Sequence, residues 1–558
     1  MRPRPALFVL SLFSIYAAEP DLLVVGAGVA GLSAALEAAR AGLRVTVVDR
    51  NTVPGGHAVI SSGGVAMVGT PVQERLGVRD TPELARADFL RWGEDASEPW
   101  VRAYAERSRV ELYDWLTSLG TEFVTATLNG AGSSLPRFHV PKQQGLGLVL
   151  PLYRELLRYE NVTWRFHTLV TGLTFAGGRA TGIAARELRS GKAETITARH
   201  VLLATGGFAN NLDLVRASWP KSMPVPERIL VGGGFFANGE GMEWVRAGGG
   251  TSARLDHQWN YATGLPDPFD PEGKRGHFVA AIGAIWVNAQ GRRFAKEQHE
   301  PKTTTPIVAA QRPARFWAVF DAEGRKGFRI VHAGYGADRL EAVFNVPGFI
   351  HRAETLEELA RLTGMPAEAL KESVAAEQGR IAKPPFYAAP MFVLIRKSLG
   401  GIAVDEACRV LTADGRPIPG LLAAGEATGF GGLHGKNGIE GAFLGGSIFM
   451  GRVAARTVAG ADRRDPARPG AAPSLTPPAV KPEAANQCRF CHDLPEMTAQ
   501  KREGYWHFER SHKLVVSRGF NCTTCHAEMA PYNAETHTAN RALRTTNCVH
   551  CHTNPPRN

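Results

Sequence analysis

The clearest pattern of apolar positions lies near the start of the chain. Leu22 to Val25 is a short apolar run, Gly28 to Arg40 is a small-residue stretch, and Leu43 to Val48 is a second apolar run that ends on Asp49. This order predicts a buried strand, a helix and a second buried strand in parallel. Two distant stretches, Val201-Leu-Leu-Ala-Thr-Gly206-Gly207-Phe208 and Leu421-Leu422-Ala-Ala-Gly425-Glu426, also read as buried strands closing on a glycine turn. They are expected to return to the same sheet. At the front, a basic Met-Arg-Pro-Arg-Pro start precedes an apolar run from Ala6 to Tyr16 and then Ala17-Ala18-Glu19. That run is shorter than the ~20 residues needed to cross a bilayer, so residues 1–18 read as a secretory signal peptide. At the far end, a Pro-, Ala- and Arg-rich stretch over 463–485 reads as a linker. Residues 486–558 have few aromatic anchors (Phe490, Tyr505, Trp506, Phe508, Phe520, Tyr532) and cannot build a core from side chains alone.

Composition narrows the class. The chain has 558 residues, of which 44% are hydrophobic and 21% charged, as expected of a soluble globular protein with two or more domains. The net charge of +11 is scattered, and no Lys/Arg run is interleaved with aromatics, which argues against nucleic-acid binding. Such a surface favours an acidic redox partner or an anionic substrate.

The chemistry of the tail is carried by three repeats of one spacing: Cys488-Arg-Phe-Cys491-His492, Cys522-Thr-Thr-Cys525-His526 and Cys548-Val-His-Cys551-His552. In c-type haem attachment two thiols add to the vinyl groups and the following His ligates the iron. Zinc would account for the paired cysteines but not for a His directly after all three pairs. His507, His512 and His537 supply one further ligand per haem, since His550 sits awkwardly inside the third motif. Three bis-histidine, electron-carrying haems are therefore expected, forming the core of a small cytochrome c domain with little regular structure. Six of the seven cysteines are thereby used, and Cys408 is left as a packing residue. Haem attachment of this type and the signal peptide agree on a periplasmic location.

At the other end, Gly26-Ala-Gly28-Val-Ala-Gly31 follows a strand and opens a helix. Gly26 permits the tight turn, Gly28 lets backbone approach a pyrophosphate, Gly31 lets helix and strand pack, and Asp49 is placed to hold the ribose. The returning strands at 201–207 and 421–425 favour FAD over NAD. No second glycine motif of this kind admits NAD(P)H.

Together with this motif, several stretches resemble the flavoprotein of the fumarate reductase/succinate dehydrogenase family, in its soluble flavocytochrome c form. They are Pro54-Gly55-Gly56-His57 running into Ser61-Ser62-Gly63-Gly64, Ala-Thr-Gly206-Gly207-Phe208, Gly291-Arg-Arg293-Phe294-Ala-Lys-Glu297, Gly425-Glu426 through Gly431-Gly-Leu-His434-Gly435, and Gly451-Arg452. The resemblance implies an α/β, Rossmann-like FAD-binding domain at 21–255 and 386–462, interrupted by an α+β capping domain at 256–385. It implies that His57 either carries FAD covalently or contacts it without a bond.

The resemblance also exposes departures. The family's proton-donating Arg would fall near Pro301, where Lys302 is the nearest basic group. Its active-site His corresponds to Arg396 or Lys397, its substrate-binding Arg to Gly438, and its His-Pro-Thr segment has no counterpart. Lys397, Lys436, Arg396, His434 and Lys302 are the polar groups left as catalytic candidates, and the pocket reads as rewritten away from fumarate. The expectation is a periplasmic flavocytochrome c that oxidises or reduces a small, anionic organic substrate. Its haems would exchange electrons with a membrane quinol-oxidising cytochrome or a soluble periplasmic cytochrome c, and no stable membrane span is expected. A fumarate-type enoate reductase, or an electron carrier with an idle flavin site, are the rival readings.

Overall fold

The computed structural model describes residues 19–471, apart from 52, 129–130, 189, 271, 298–299, 332–336 and 462–463. The expected signal peptide, most of the linker and the whole haem tail lie outside the described residues. The tail includes Cys488, Cys491, Cys522, Cys525, Cys548 and Cys551 and the histidines at 492, 507, 512, 526, 537 and 552.

The strand–helix–strand opening is present as β1 (Leu22–Val25), α1 (Val29–Arg40) and β2 (Val45–Val48). All four residues of each strand are buried, because helices cover one face of this parallel sheet and a three-stranded antiparallel sheet spanning 168–197 covers the other. Two further parallel strands follow, β3 (Val162–Arg165) and β4 (His200–Leu203). The chain then leaves this sheet for a second one, whose long central strands are β5 (Gln258–Pro266) and β6 (Phe386–Ser398). It returns through β7 (Pro417–Ala423) and ends in α2 (Ala442–Ala461). The first sheet runs β7-β4-β1-β2-β3 in parallel, with the short strand Arg409–Leu411 antiparallel at the β7 edge. Both stretches expected to return, at 201 and 421, do so, paired residue for residue as Val201↔Leu421.

Small residues make the close approaches. A Cβ on Gly31 would lie 1.9 Å from the Gly26 carbonyl oxygen, and one on Gly451 of α2 would lie 2.2 Å from that of Ala30 in α1. The two helices pack with almost no side chain between them at that point. Cys408 is buried, its thiol directed at the Met450 carbonyl oxygen, 3.5 Å away.

The second sheet has eight strands, and it extends beyond the interval 256–385 at both ends. Ile229–Val231 pairs with β6, and β6 itself, which the sequence places after the cap, is the strand that most of this sheet joins. Its continuous apolar run resembles the buried strands of the first sheet, so pattern alone cannot assign it. Among the described residues no helix is long and apolar enough to cross a membrane.

One buried polar network ties the helices around residues 71–93 to the short strand Phe138–Pro141. Arg137 is fully buried and donates twice to Asp80 (2.7 Å each) and once to Asp88 (2.6 Å). His139 beside it contacts the Thr70 hydroxyl at 2.6 Å, and burial lowers its pKa to about 4. Removing the guanidinium leaves two carboxylates facing each other out of water. Arg137→Met is therefore expected to cost about 3–5 kcal/mol, read as a lowered urea midpoint with an unchanged denaturant slope.

Candidate functional site

The site is assembled at the carboxyl ends of β1, β4 and β7, where the sheet's turns converge. Gly26 adopts φ +106°, and a Cβ there would strike the Ala204 carbonyl oxygen at 2.3 Å. Asp49 holds the turn rather than hanging free: its carboxylate accepts from the Ala27 N–H at 2.6 Å and the Asn51 N–H at 2.7 Å. At the N-terminus of α1, Gly28 has nothing within 4 Å of where a Cβ would stand, no side chain caps the helix, and the first turn holds no acid. Open space beside uncapped N–H groups fits a pyrophosphate.

The Pro54–His57 loop lies over this turn. Gly55 N–H donates to the Ala27 carbonyl at 2.7 Å, and Gly55 bridges Gly28. Ser61 donates to Ala58 O and accepts from Gly63 N–H. Gly63 and Gly64 are demanded by packing, since added Cβ atoms would meet Gln144 backbone at 2.4 Å and the Phe138 ring at 1.9 Å. Gly206 takes φ +76° in open surroundings, whereas Gly207 is closed by Ser398 Oγ, 1.8 Å from its would-be Cβ.

Here the distant motifs meet. Glu426 Oε1 accepts from the Ser398 N–H (3.2 Å), and Ser398 Oγ accepts from the Phe208 N–H (3.3 Å). Lys397 Nζ lies 3.5 Å from Glu426 Oε2 and 3.5 Å from His57 Nδ1. Burial pulls the Lys397 pKa down, and Glu426 opposes that shift. Lys397 is thus a buried, carboxylate-paired cation at the centre of the site.

Cross-strand register explains its neighbours. Trp259 on β5 faces Lys397 on β6, but Asn260 faces Ile395, so Arg396 is the extra residue of a bulge. Successive side chains normally point to opposite faces, and the bulge relaxes that rule for Arg396 and Lys397. Arg396 is the one residue of β6 that reaches solvent. Its guanidinium stands 5.8 Å from the Tyr261 ring centre, and it has no ion-pair partner among the described residues. The Tyr261 hydroxyl donates to Glu440, and the Trp259 indole N–H reaches the same oxygen at 3.3 Å. Burial and Glu440 together push the Tyr261 pKa well up.

The other candidates are placed differently. Lys302 pairs with Glu94 at 2.6 Å and lies 5.2 Å from the Trp92 ring, which meets Trp259 edge-on. It holds the Glu94 pKa down. Lys436 is exposed, with its backbone N–H on the Gly93 carbonyl. His434 is fully buried between Phe430 and Phe443; its Nδ1 accepts from the Ile439 N–H and its Nε2 has no partner among the described residues. Burial, with Lys397 nearby, pushes its pKa down to about 3, so it is a neutral group and not a cation. Gly438, at the position of the family's substrate Arg, is roofed: a Cβ there would lie 2.7 Å from Phe443 and 2.8 Å from Trp259.

The FAD binding domain family matches residues 21–444. The chain belongs to that family. A KsdD-like steroid dehydrogenase of Mycobacterium tuberculosis is 31% identical, over 79% of this chain and 95% of its own length. A probable fumarate reductase of Shewanella frigidimarina is 29% identical, over 78% of this chain and 74% of its own length. The solved open conformation of a flavocytochrome c3 fumarate reductase superposes with TM-score 0.67 at 26% identity, covering 79% of this chain and 78% of that one. The protein is therefore an FAD-dependent oxidoreductase related to both fumarate reductases and steroid dehydrogenases.

Three residues of the site escaped sequence reasoning: Trp259, Tyr261 and Glu440. The first two sit in the fully buried β5 and look like core. Glu440 did carry a signal, as a lone acid in the glycine and apolar run Gly438-Ile439-Glu440-Gly441-Ala442-Phe443.

The state of His434 has a measurable consequence. Its ordinary pKa is 6.5, so below that pH the unfolded chain binds a proton that the folded site refuses. Its contribution to stability is intact above 6.5 and is lost as pH falls, by up to about 1.4 kcal/mol per pH unit. His434→Gln should flatten the acid limb of stability against pH in urea unfolding, and an unchanged limb would show that His434 is already protonated when folded.

Proposed function

We propose that the protein is a periplasmic flavocytochrome c that acts on a carbon–carbon bond next to a carbonyl in a neutral, largely apolar organic molecule. Three c-type haems in the 486–558 tail would pass electrons to or from a quinol-oxidising membrane cytochrome or a soluble cytochrome c. FAD, when bound, supplies the two-electron hydride chemistry. The haem part rests on the three Cys-x-x-Cys-His motifs, and the compartment on those motifs and the basic, apolar start of the chain.

One observation carries the substrate class: Trp259 and Phe443 fill the space above Gly438, where the fumarate enzymes resembled here place a substrate-binding Arg. Two of the remaining cations are already matched, Lys397 with Glu426 and Lys302 with Glu94. Arg396, beside Tyr261, has no carboxylate within ion-pair reach among the described residues, which suits one carbonyl oxygen and not two carboxylates. The anionic substrate expected from net charge gives way, in this reading, to a neutral one. Trp92, Trp259 and Tyr261 would provide apolar wall. The steroid dehydrogenase relative, matched over nearly its whole length, points the same way.

For the cofactor, His57 Nδ1 stands 3.5 Å from Lys397 Nζ, and in this reading His57 contacts FAD without a covalent bond, so acid precipitation should release all flavin from the polypeptide. The substrate reading is tested with anaerobic holoprotein reduced by dithionite. Progesterone, a neutral enone, should restore the oxidised flavin and haem spectra, and fumarate should not. Rapid reoxidation by fumarate with none by progesterone would reverse the assignment.

A further inference from the structure

The carboxylate of Glu440 stands in the site without a counter-ion. Trp259 and Tyr261 both engage its Oε1, while Oε2 has no hydrogen-bond or ion-pair partner among the described residues, and the side chain is half-buried. It follows Gly438 by two residues and lies close enough to Lys397 to act on its charge. The same indole that roofs Gly438 therefore also fixes a carboxylate beside it. A position that could have held a substrate-binding cation is exchanged for a held anion. Carboxylates kept in place by two neutral donors, with one oxygen free, are suited to proton transfer.

We propose that Glu440 is the catalytic base of this enzyme, taking the proton from the carbon next to the substrate carbonyl, with Trp259 and Tyr261 as its positioning residues. The step balances by itself. The α-carbon–hydrogen bond breaks, an O–H bond forms at Glu440 Oε2, and the electron pair delocalises onto the carbonyl oxygen as an enolate facing Arg396. No electron leaves the organic molecule in this step, so it is separable from redox turnover. In the reducing direction the protonated carboxyl returns the same proton. The assignment rests on the carbonyl-compound reading above.

The test uses the holoprotein in D2O with excess dihydrotestosterone, a saturated steroid ketone, and no electron acceptor. Deuterium uptake at the α-carbon is followed by mass spectrometry, and binding by the perturbation of the flavin absorbance. Wild type should catalyse exchange. Glu440→Gln should lose it by about 100-fold or more while binding the ketone within about three-fold, on the scale of a lost neutral contact. Glu440→Asp, which keeps the charge, should retain part of the exchange. Trp259→Phe, which keeps the roof over Gly438 but removes the indole N–H, should slow exchange without weakening binding. Exchange at the wild-type rate in Glu440→Gln, with the ketone bound, overturns the role of Glu440 and leaves the substrate class standing. Failure of the ketone to bind wild type overturns both.

Discussion

The pairing of β5 with β6 is the constraint on which the site depends. These strands belong to the second sheet, yet the end of β6 reaches back to Glu426 and the Phe208 turn of the nucleotide-binding sheet. Register sets Trp259 opposite Lys397, and the bulge that follows brings Arg396 to the same place. A slip of one residue would send each of these side chains to the opposite face. The bulge is thus the device by which two successive basic residues serve one site.

Charge balance follows from that geometry. Lys397 is buried, and its cost of desolvation is offset by Glu426 on one side; removing either partner alone would leave an uncompensated charge out of water. Trp259 plays two parts. It excludes any side chain from position 438, and its N–H steadies the carboxylate of Glu440. His434, held neutral between two phenylalanines, adds a donor or acceptor without adding charge. At this centre Arg396 and Glu440 have no ion-pair partner among the described residues, and the walls are aromatic. Such a centre is poorly matched to a doubly charged substrate and well matched to polarising one carbonyl while a nearby proton is removed.

Much of the nucleotide half was legible in the sequence because its signals are local. Gly26 and Gly31 stand where the chain turns and packs most closely, Gly28 has open space beside it, and the strands at 201 and 421 joined the expected sheet. Lys397 was legible through its place in a resembling motif. What stayed hidden depends on long-range register. β6 could not be told from a strand of the first sheet, since both are continuous apolar runs. Trp259 and Tyr261 looked like core because they are core, each being less than a tenth exposed. Only folding shows that their polar tips converge on Glu440. Lys302 was the reverse case, a basic residue near the right motif whose charge is spent on Glu94.

The central claim is that this pocket has exchanged dicarboxylate recognition for a neutral carbonyl compound. Equilibrium titration of the oxidised holoprotein with succinate and with a neutral steroid ketone, each followed through the flavin absorbance bands, tests it most directly. The account predicts saturable perturbation by the ketone and none by succinate. Saturable binding of succinate, with no response to the ketone, would contradict it.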